Sequence, residues 1–165
     1  MAEQKQVKYD LDGYDVVTTA LLALINQYPG LNKGEKITFS DLGEDSGISM
    51  FPINGAVIET DRTFITGRTE EVCLYPFYII YKAGGLSSGN KANIKEWLDN
   101  LGRWLEKEIV IINGTEYKLS EYPPLTENRK FLSISRQTPS YLDTVNDNKS
   151  ENWAIYISAR YQHIK

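Results

Sequence analysis

Apolar and polar residues alternate along the end of the chain, SENWAIYISARYQHIK (150–165). Trp153, Ile155, Ile157, Ala159 and Tyr161 share one parity, while Tyr156, Ser158, Arg160 and Gln162 share the other. That two-residue period is the mark of a strand with one apolar face. Trp, Tyr and Ile at fixed spacing do not suit a frayed terminus, so this stretch is expected as an inner or closing strand of a sheet. The period changes to 3.6 in two places. Val17, Ala20, Leu21, Leu24 and Tyr28, widened by Val16 and Ile25, predict a helix that starts at Asp12 and stops at Pro29-Gly30. Asp12 is its expected cap, and Asp15 adds favourable charge in the first turn. Ile94, Trp97, Leu98, Leu101, Trp104 and Leu105 predict a second helix over 91–107. Gly102 inside it costs about 1 kcal/mol relative to Ala, which predicts a close approach of some neighbour.

Between these elements the pattern predicts shorter strands. KITFS (36–40) and ISMFPI (48–53) flank the acidic turn DLGEDSG (41–47), and Pro52 places the latter strand at an edge or at its end. Residues 56–60 and 62–66 form a hairpin or one long bent strand. Residues 70–82, in which EVCLYPFYIIYK is apolar on both parities, predict a central strand covered on both faces. Pro76 within it predicts a bulge or a pairing that ends partway. The Gly- and Ser-rich stretch 83–90 reads as a flexible connection. Asn113-Gly114 supplies the turn of a small hairpin over 108–119, and the paired prolines keep 122–128 extended and irregular. Residues 130–137 read as a strand with Phe131, Ser133 and Ser135 opposed to Leu132, Ile134 and Arg136. The polar stretch 138–149 reads as an exposed connection, leaving the last two strands as antiparallel neighbours. The expected fold is α+β: a mainly antiparallel sheet with two helices packed on one face, in a single domain (1–165) with 1–9 as a mobile arm.

Composition narrows the function classes. A formal charge of -4 and a pI near 5.1 lack the basicity with which nucleic-acid binders neutralise phosphates. The chain has 11 Tyr, a residue suited to strands and contact surfaces because its ring buries apolar area while its hydroxyl tolerates water. Cys73 is the only cysteine and sits in an apolar run, so neither an internal disulfide nor a cysteine zinc site is expected, and its thiol reads as buried rather than nucleophilic. No long uncharged apolar run and no secretory signal occur, which predicts a chain that stays in the cytoplasm unless carried out.

Reactive constellations are sparse. His163 is the sole imidazole and reads as a surface or interface residue. The Gly-rich stretch 83–90 lacks the Lys-Ser/Thr that closes a phosphate loop. Asp41, Glu44 and Asp45, and separately Asp143, Asn146, Asp147 and Asn148, offer oxygen ligands without the spacing of a calcium loop, and read as solvated turns. No catalytic, cofactor or metal residue is expected.

The first helix YDVVTTALLALINQY, the strand EVCLYPFYIIYKA with the helix NIKEWLDNLGRWLE after it, and the ending ISRQTPSYLDTVNDNKSENWAIYISARYQ together cover most of the chain. In element order, and in the Asp- and Asn-rich loop before a Trp-containing last strand, they resemble the tail terminator proteins of long-tailed bacteriophages. These are also called tail completion or minor capsid proteins. The resemblance implies a homo-oligomeric ring, usually a hexamer, that caps the tail tube, stops its polymerisation and joins it to the head. Implied partners are the tail tube protein and a head-completion or connector protein; DNA passes without specific binding, no membrane is involved, and the location is the virion after synthesis in the host cytoplasm. The hairpin at 108–119 and the N-terminal extension depart from compact members. Candidate subunit or partner contacts are Tyr9, Leu86, Ser87 and Ser88, together with Tyr141, Tyr156 and Arg160. Asp41, Glu44 and Asp45 are the candidate acidic lumen or loop. The alternatives are another neck or tube component (a head-completion, stopper or tail-tube protein) and a small hydrolase holding a cation at 143–148.

Overall fold

The computed structural model describes residues 6–85 and 88–165. In chain order its elements are α1 (Gly13–Ile25), β1 (Ile37–Phe39), β2 (Gly47–Pro52), β3 (Val57–Thr63), β4 (Thr69–Ala83), α2 (Ser88–Leu105), β5 (Val110–Ile112), β6 (Thr115–Tyr117), β7 (Arg129–Arg136), β8 (Tyr141–Val145) and β9 (Glu151–Ile164). The fold is α+β, with a mostly antiparallel sheet. Its spine is the antiparallel pair β4 and β9, in register from Glu70 opposite Ile164 to Ala83 opposite Glu151. Two shorter strands lie end to end along each flank of this spine. β2 and β3 follow β4, β7 and β8 follow β9, and β1 joins β2 as a parallel edge. The terminal strand is therefore an inner strand, as its alternation predicts.

Pro76 marks the changeover between the two strands beside β4. β2 ends with Pro52 opposite Phe77, β3 begins with Val57 opposite Leu74, and Ile53 N donates to Pro76 O at 2.9 Å in between. The residue without an N–H thus falls where one pairing stops and the next starts. Residues 57–63 form one strand with a bulge between Ile58 and Thr60, then turn back into β4. Asn113 (φ 51°) and Gly114 (φ 79°) supply the two left-handed positions that the β5–β6 turn requires.

Both helices cover one face of the spine. Cys73, Tyr75, Phe77 and Ile79 of β4, with Ile155, Ile157, Ala159 and Tyr161 of β9, point to that face and are fully buried. Val17, Leu21, Leu24 and Ile25 of α1 and Ile94, Leu98, Leu101, Trp104 and Leu105 of α2 complete the core. Trp97 sits at its rim, donating Nε1–H to Gly30 O at 2.9 Å and meeting Tyr28 and Tyr81 edge-on with ring centres 5.2 Å away. The close approach expected at Gly102 is present: a methyl there would overlap the Arg136 stem and crowd Ile155 Cδ1 at 3.0 Å. Arg136 cannot swing away without breaking its ion pair with Glu106. Gly102→Ala is therefore expected to destabilise by about 1–3 kcal/mol despite the better helix propensity of Ala, as urea denaturation would measure.

Several boundaries differ from the pattern. Asp12 makes no side-chain capping bond; instead Asp10 Oδ1 accepts from Gly13 N at 3.1 Å. α1 stops at Ile25 rather than at Pro29, because the Asn26 carboxamide bonds Leu22 O and both backbone groups of Ile37, drawing the chain into β1. α2 begins at Ser88, so the connection before it is shorter than 83–90. In β7 a bulge at Leu132 lets Phe131 and Ile134 share the core face, which strict alternation forbids. Residues 141–145 are a strand on β9 and not an open connection, with a second bulge at Asp143. The expectation that β4 is covered on both faces also fails: one parity is buried, while the other, Val72, Leu74, Pro76, Tyr78 and Ile80, is half-buried with no helix over it.

Candidate interaction surface

The helix-free face is built from the second parity of each strand. Leu74, Tyr78 and Ile80 of β4 lie beside Phe51 of β2 and Val57 of β3 on one flank, and beside Ala154, Tyr156 and Arg160 of β9 on the other. Tyr78 stands directly opposite Tyr156, with ring centres 5.1 Å apart and planes 30° from parallel. Tyr141 of β8, opposite Ala154, extends this aromatic row, and burial together with the neighbouring Tyr78 raises its hydroxyl pKa. Arg160 lies opposite Leu74 and pairs with Glu59, at the β3 bulge, at 3.5 Å. The result is an apolar and aromatic strip bordered by an ion pair. A strip of this kind left uncovered on a sheet is the usual mark of a contact surface.

The three contact residues expected from the end of the chain, Tyr141, Tyr156 and Arg160, thus fall on one surface. Tyr9, directly opposite Val57, joins them at the outer edge of β3; Ser88 does not. Ser88 opens α2, exposed, and Leu86 and Ser87 lie outside the described residues. Tyr9 is 42% exposed but bridges Val57, so the expected mobile arm is held from residue 8 onward. Ile58 N donates to Lys8 O at 2.9 Å and Asp10 N to Ala56 O at 2.8 Å, so the arm pairs with the outer edge of β3.

A buried polar cluster fixes that arm. Arg129 forks onto Asp10 (Nε to Oδ2 2.9 Å, Nη2 to Oδ1 2.8 Å), and Tyr161 Oη donates to Asp10 Oδ2 at 2.7 Å. The Arg129 and Asp10 side chains are 2% and 5% exposed. Burial pushes the Asp10 carboxyl up, but the hydrogen bonds from Arg129 and Tyr161 outweigh it and hold the pKa below the usual carboxylate range. Near this cluster Cys73 is buried, its thiol pushed up to about 12 by burial. His163, expected as a surface or interface residue, has its side chain only 12% exposed, with Nδ1 3.9 Å from Glu71 Oε2. The order of the chain offers no signal for this cluster, since Asp10, Arg129 and Tyr161 meet only through the sheet.

The acidic turn 41–47 lies at the opposite end of the spine. Asp41, Glu44 and Asp45 are exposed; Lys82 Nζ donates to Gly43 O at 3.1 Å, and Asn148 Nδ2 to Glu44 O at 3.3 Å. The 146–150 turn is built by its own asparagines, with Asn146 bonding Ser150 and Asn152, and Asn148 accepting from Ser150 N. Those side chains serve the backbone. Among the described residues no group of three or more His, Cys, Asp and Glu is placed to hold a metal ion. Among them also, no helix is long and apolar enough to cross a membrane.

No protein-family model and no curated protein matches the chain.

Proposed function

We propose that the chain is a structural subunit of a bacteriophage tail, a tail terminator whose copies form a ring that caps the tail tube, stops its growth and presents the joining surface to the head. The observation that carries this reading is the uncovered sheet face. A helix-covered sheet gains little from aromatic and aliphatic side chains on its solvent side, yet Phe51, Leu74, Tyr78, Ile80, Tyr141 and Tyr156 stand there together, half-buried. Such a face is useful when another protein covers it, and in this reading the partner is the end of the tail tube. The reading rests on the resemblance, of whose element order the structure has the first helix, the strands, the two-Trp helix and the Trp-containing last strand, while 141–145 is a strand where a loop is expected. The acidic balance suits a ring through which DNA passes, because like charge keeps the genome from adhering.

The test is assembly. Purified protein, alone and added to polymerising tube protein, is expected to give closed rings by electron microscopy and to halt tube growth. A tube subunit would stack into filaments instead. Strictly monomeric protein that leaves tube length unchanged would overturn the proposal.

A further inference from the structure

The turn between β3 and β4 is closed by backbone hydrogen bonds, apolar at its apex, and carries an arginine on each side. Phe64 N donates to Arg68 O at 2.8 Å and Gly67 N to Phe64 O at 2.9 Å, with Gly67 at φ +87°. The Arg62 and Arg68 guanidinium groups lie over the Phe64 ring, 4.7 and 5.6 Å from its centre. Ile65, at the apex, is fully exposed at 108%. One exposed isoleucine means little on its own. This one is presented by a turn already held in shape, between two cations with no acidic residue in 62–68.

The other end of the spine has the complementary character. There Asp41, Glu44 and Asp45 are joined to the 146–150 turn through the Asn148 bond to Glu44, and Asp143 and Asp147 add to them. Lys82 and Lys149 offset only part of that charge. Leu142 and Val145 of β8, interleaved with Asp143 and Asp147 along the chain, are 43% and 59% exposed on the β9 flank of that end. β4 separates the two ends by its whole length of 15 residues, about 45 Å at a strand's rise, so the tip cannot reach the acidic end of its own chain.

We propose that the β3–β4 tip of one copy docks on the acidic end of the next, with Ile65 at the centre of the contact and Arg62 and Arg68 facing Asp41, Glu44 and Asp45. This deepens the ring reading and rests on it, because the partner is a second copy. A contact between two different ends of identical chains is heterologous, and it closes into a ring where the rotation between neighbours fits. Charge complementarity sets its register, and the contact weakens as salt rises.

The experiment uses two charge-reversed forms of the full chain, Arg62→Glu with Arg68→Glu, and Asp41→Lys with Glu44→Lys and Asp45→Lys. Each alone is expected to remain monomeric by mass photometry. Mixed in equal amounts they are expected to pair, because an unaltered tip meets an unaltered acidic end. Ile65→Asp supplies a check independent of folding, since its side chain is fully solvent-exposed; it is expected to weaken self-association at least tenfold with unchanged circular dichroism and melting. If wild-type protein forms rings and all three variants form them equally well, this contact is wrong while the ring reading stands. If wild-type protein forms no ring, alone or with tube protein, both fall.

Discussion

Replacing Asp10 with alanine is expected to lower the free energy of unfolding by about 3–5 kcal/mol, the range for removing one partner of a buried ion pair. For a chain of this size that lowers the melting temperature by about 6–20 °C. The loss is large because three groups depend on one carboxylate. Arg129 keeps only Glu127, whose side chain is 61% exposed, while Tyr161 Oη and Gly13 N lose their acceptor inside the protein. Leaving such groups buried and unpaired costs more than the pair contributes when intact. The same substitution unties the arm from β3, so hydrogen exchange at Ile58 N, now bonded to Lys8 O, should rise more than exchange along β4 and β9. Equal protection at Ile58 in both proteins would show that the ladder, rather than the ion pair, holds the arm.

The pH dependence follows from the direction of the Asp10 shift. A carboxyl held below its unfolded value of about 3.9 contributes fully above that pH, and the contribution disappears as pH falls through the lower folded value. Stability should therefore be level near neutrality and fall in the acid range. Asp99 has the same sign: burial opposes ionisation, but bonds from Ser140 and Lys95 prevail. Asp10→Asn should accordingly reduce the acid slope without removing it, as urea titrations between pH 2 and 7 would record.

What was legible in the chain followed from local periodicity. The terminal strand, the Trp-bearing stripe of α2, the Asn113-Gly114 turn and the tight packing at Gly102 all express themselves in neighbouring residues. Pro76 was legible as an interruption, though not which strands meet there. The misses come from tertiary interactions that override a local rule. A bulge at Leu132 reverses the parity of β7, and β8 is held by pairing with β9 although 138–149 reads as a polar connection. The arm is fixed by an arginine 119 residues away. The second apolar parity of β4 was visible, but the reading that it is covered within one chain was wrong. Under the proposed function, coverage by a different protein would account for its apolar character.

That coverage can be separated from ring closure. Truncating Tyr78 and Tyr156 together to alanine is expected to weaken capping of the tail tube by roughly 2–4 kcal/mol, about 30- to 1,000-fold, because adjacent aromatic residues near the middle of a contact carry much of its energy. The monomer should lose far less, about 1–2 kcal/mol, since the rings touch each other and stand on the side away from the core. Rings should still form, for the tip and the acidic end are untouched. The signature is intact rings that no longer arrest tube growth, scored by tube length in electron micrographs. Salt provides a second discriminant: an apolar contact persists as ionic strength rises, whereas the Arg62 and Arg68 contact is screened. If the double variant capped tubes as well as the unaltered protein, the aromatic face would have no part in meeting the tube. If it lost rings as well, the face would belong between copies of the chain.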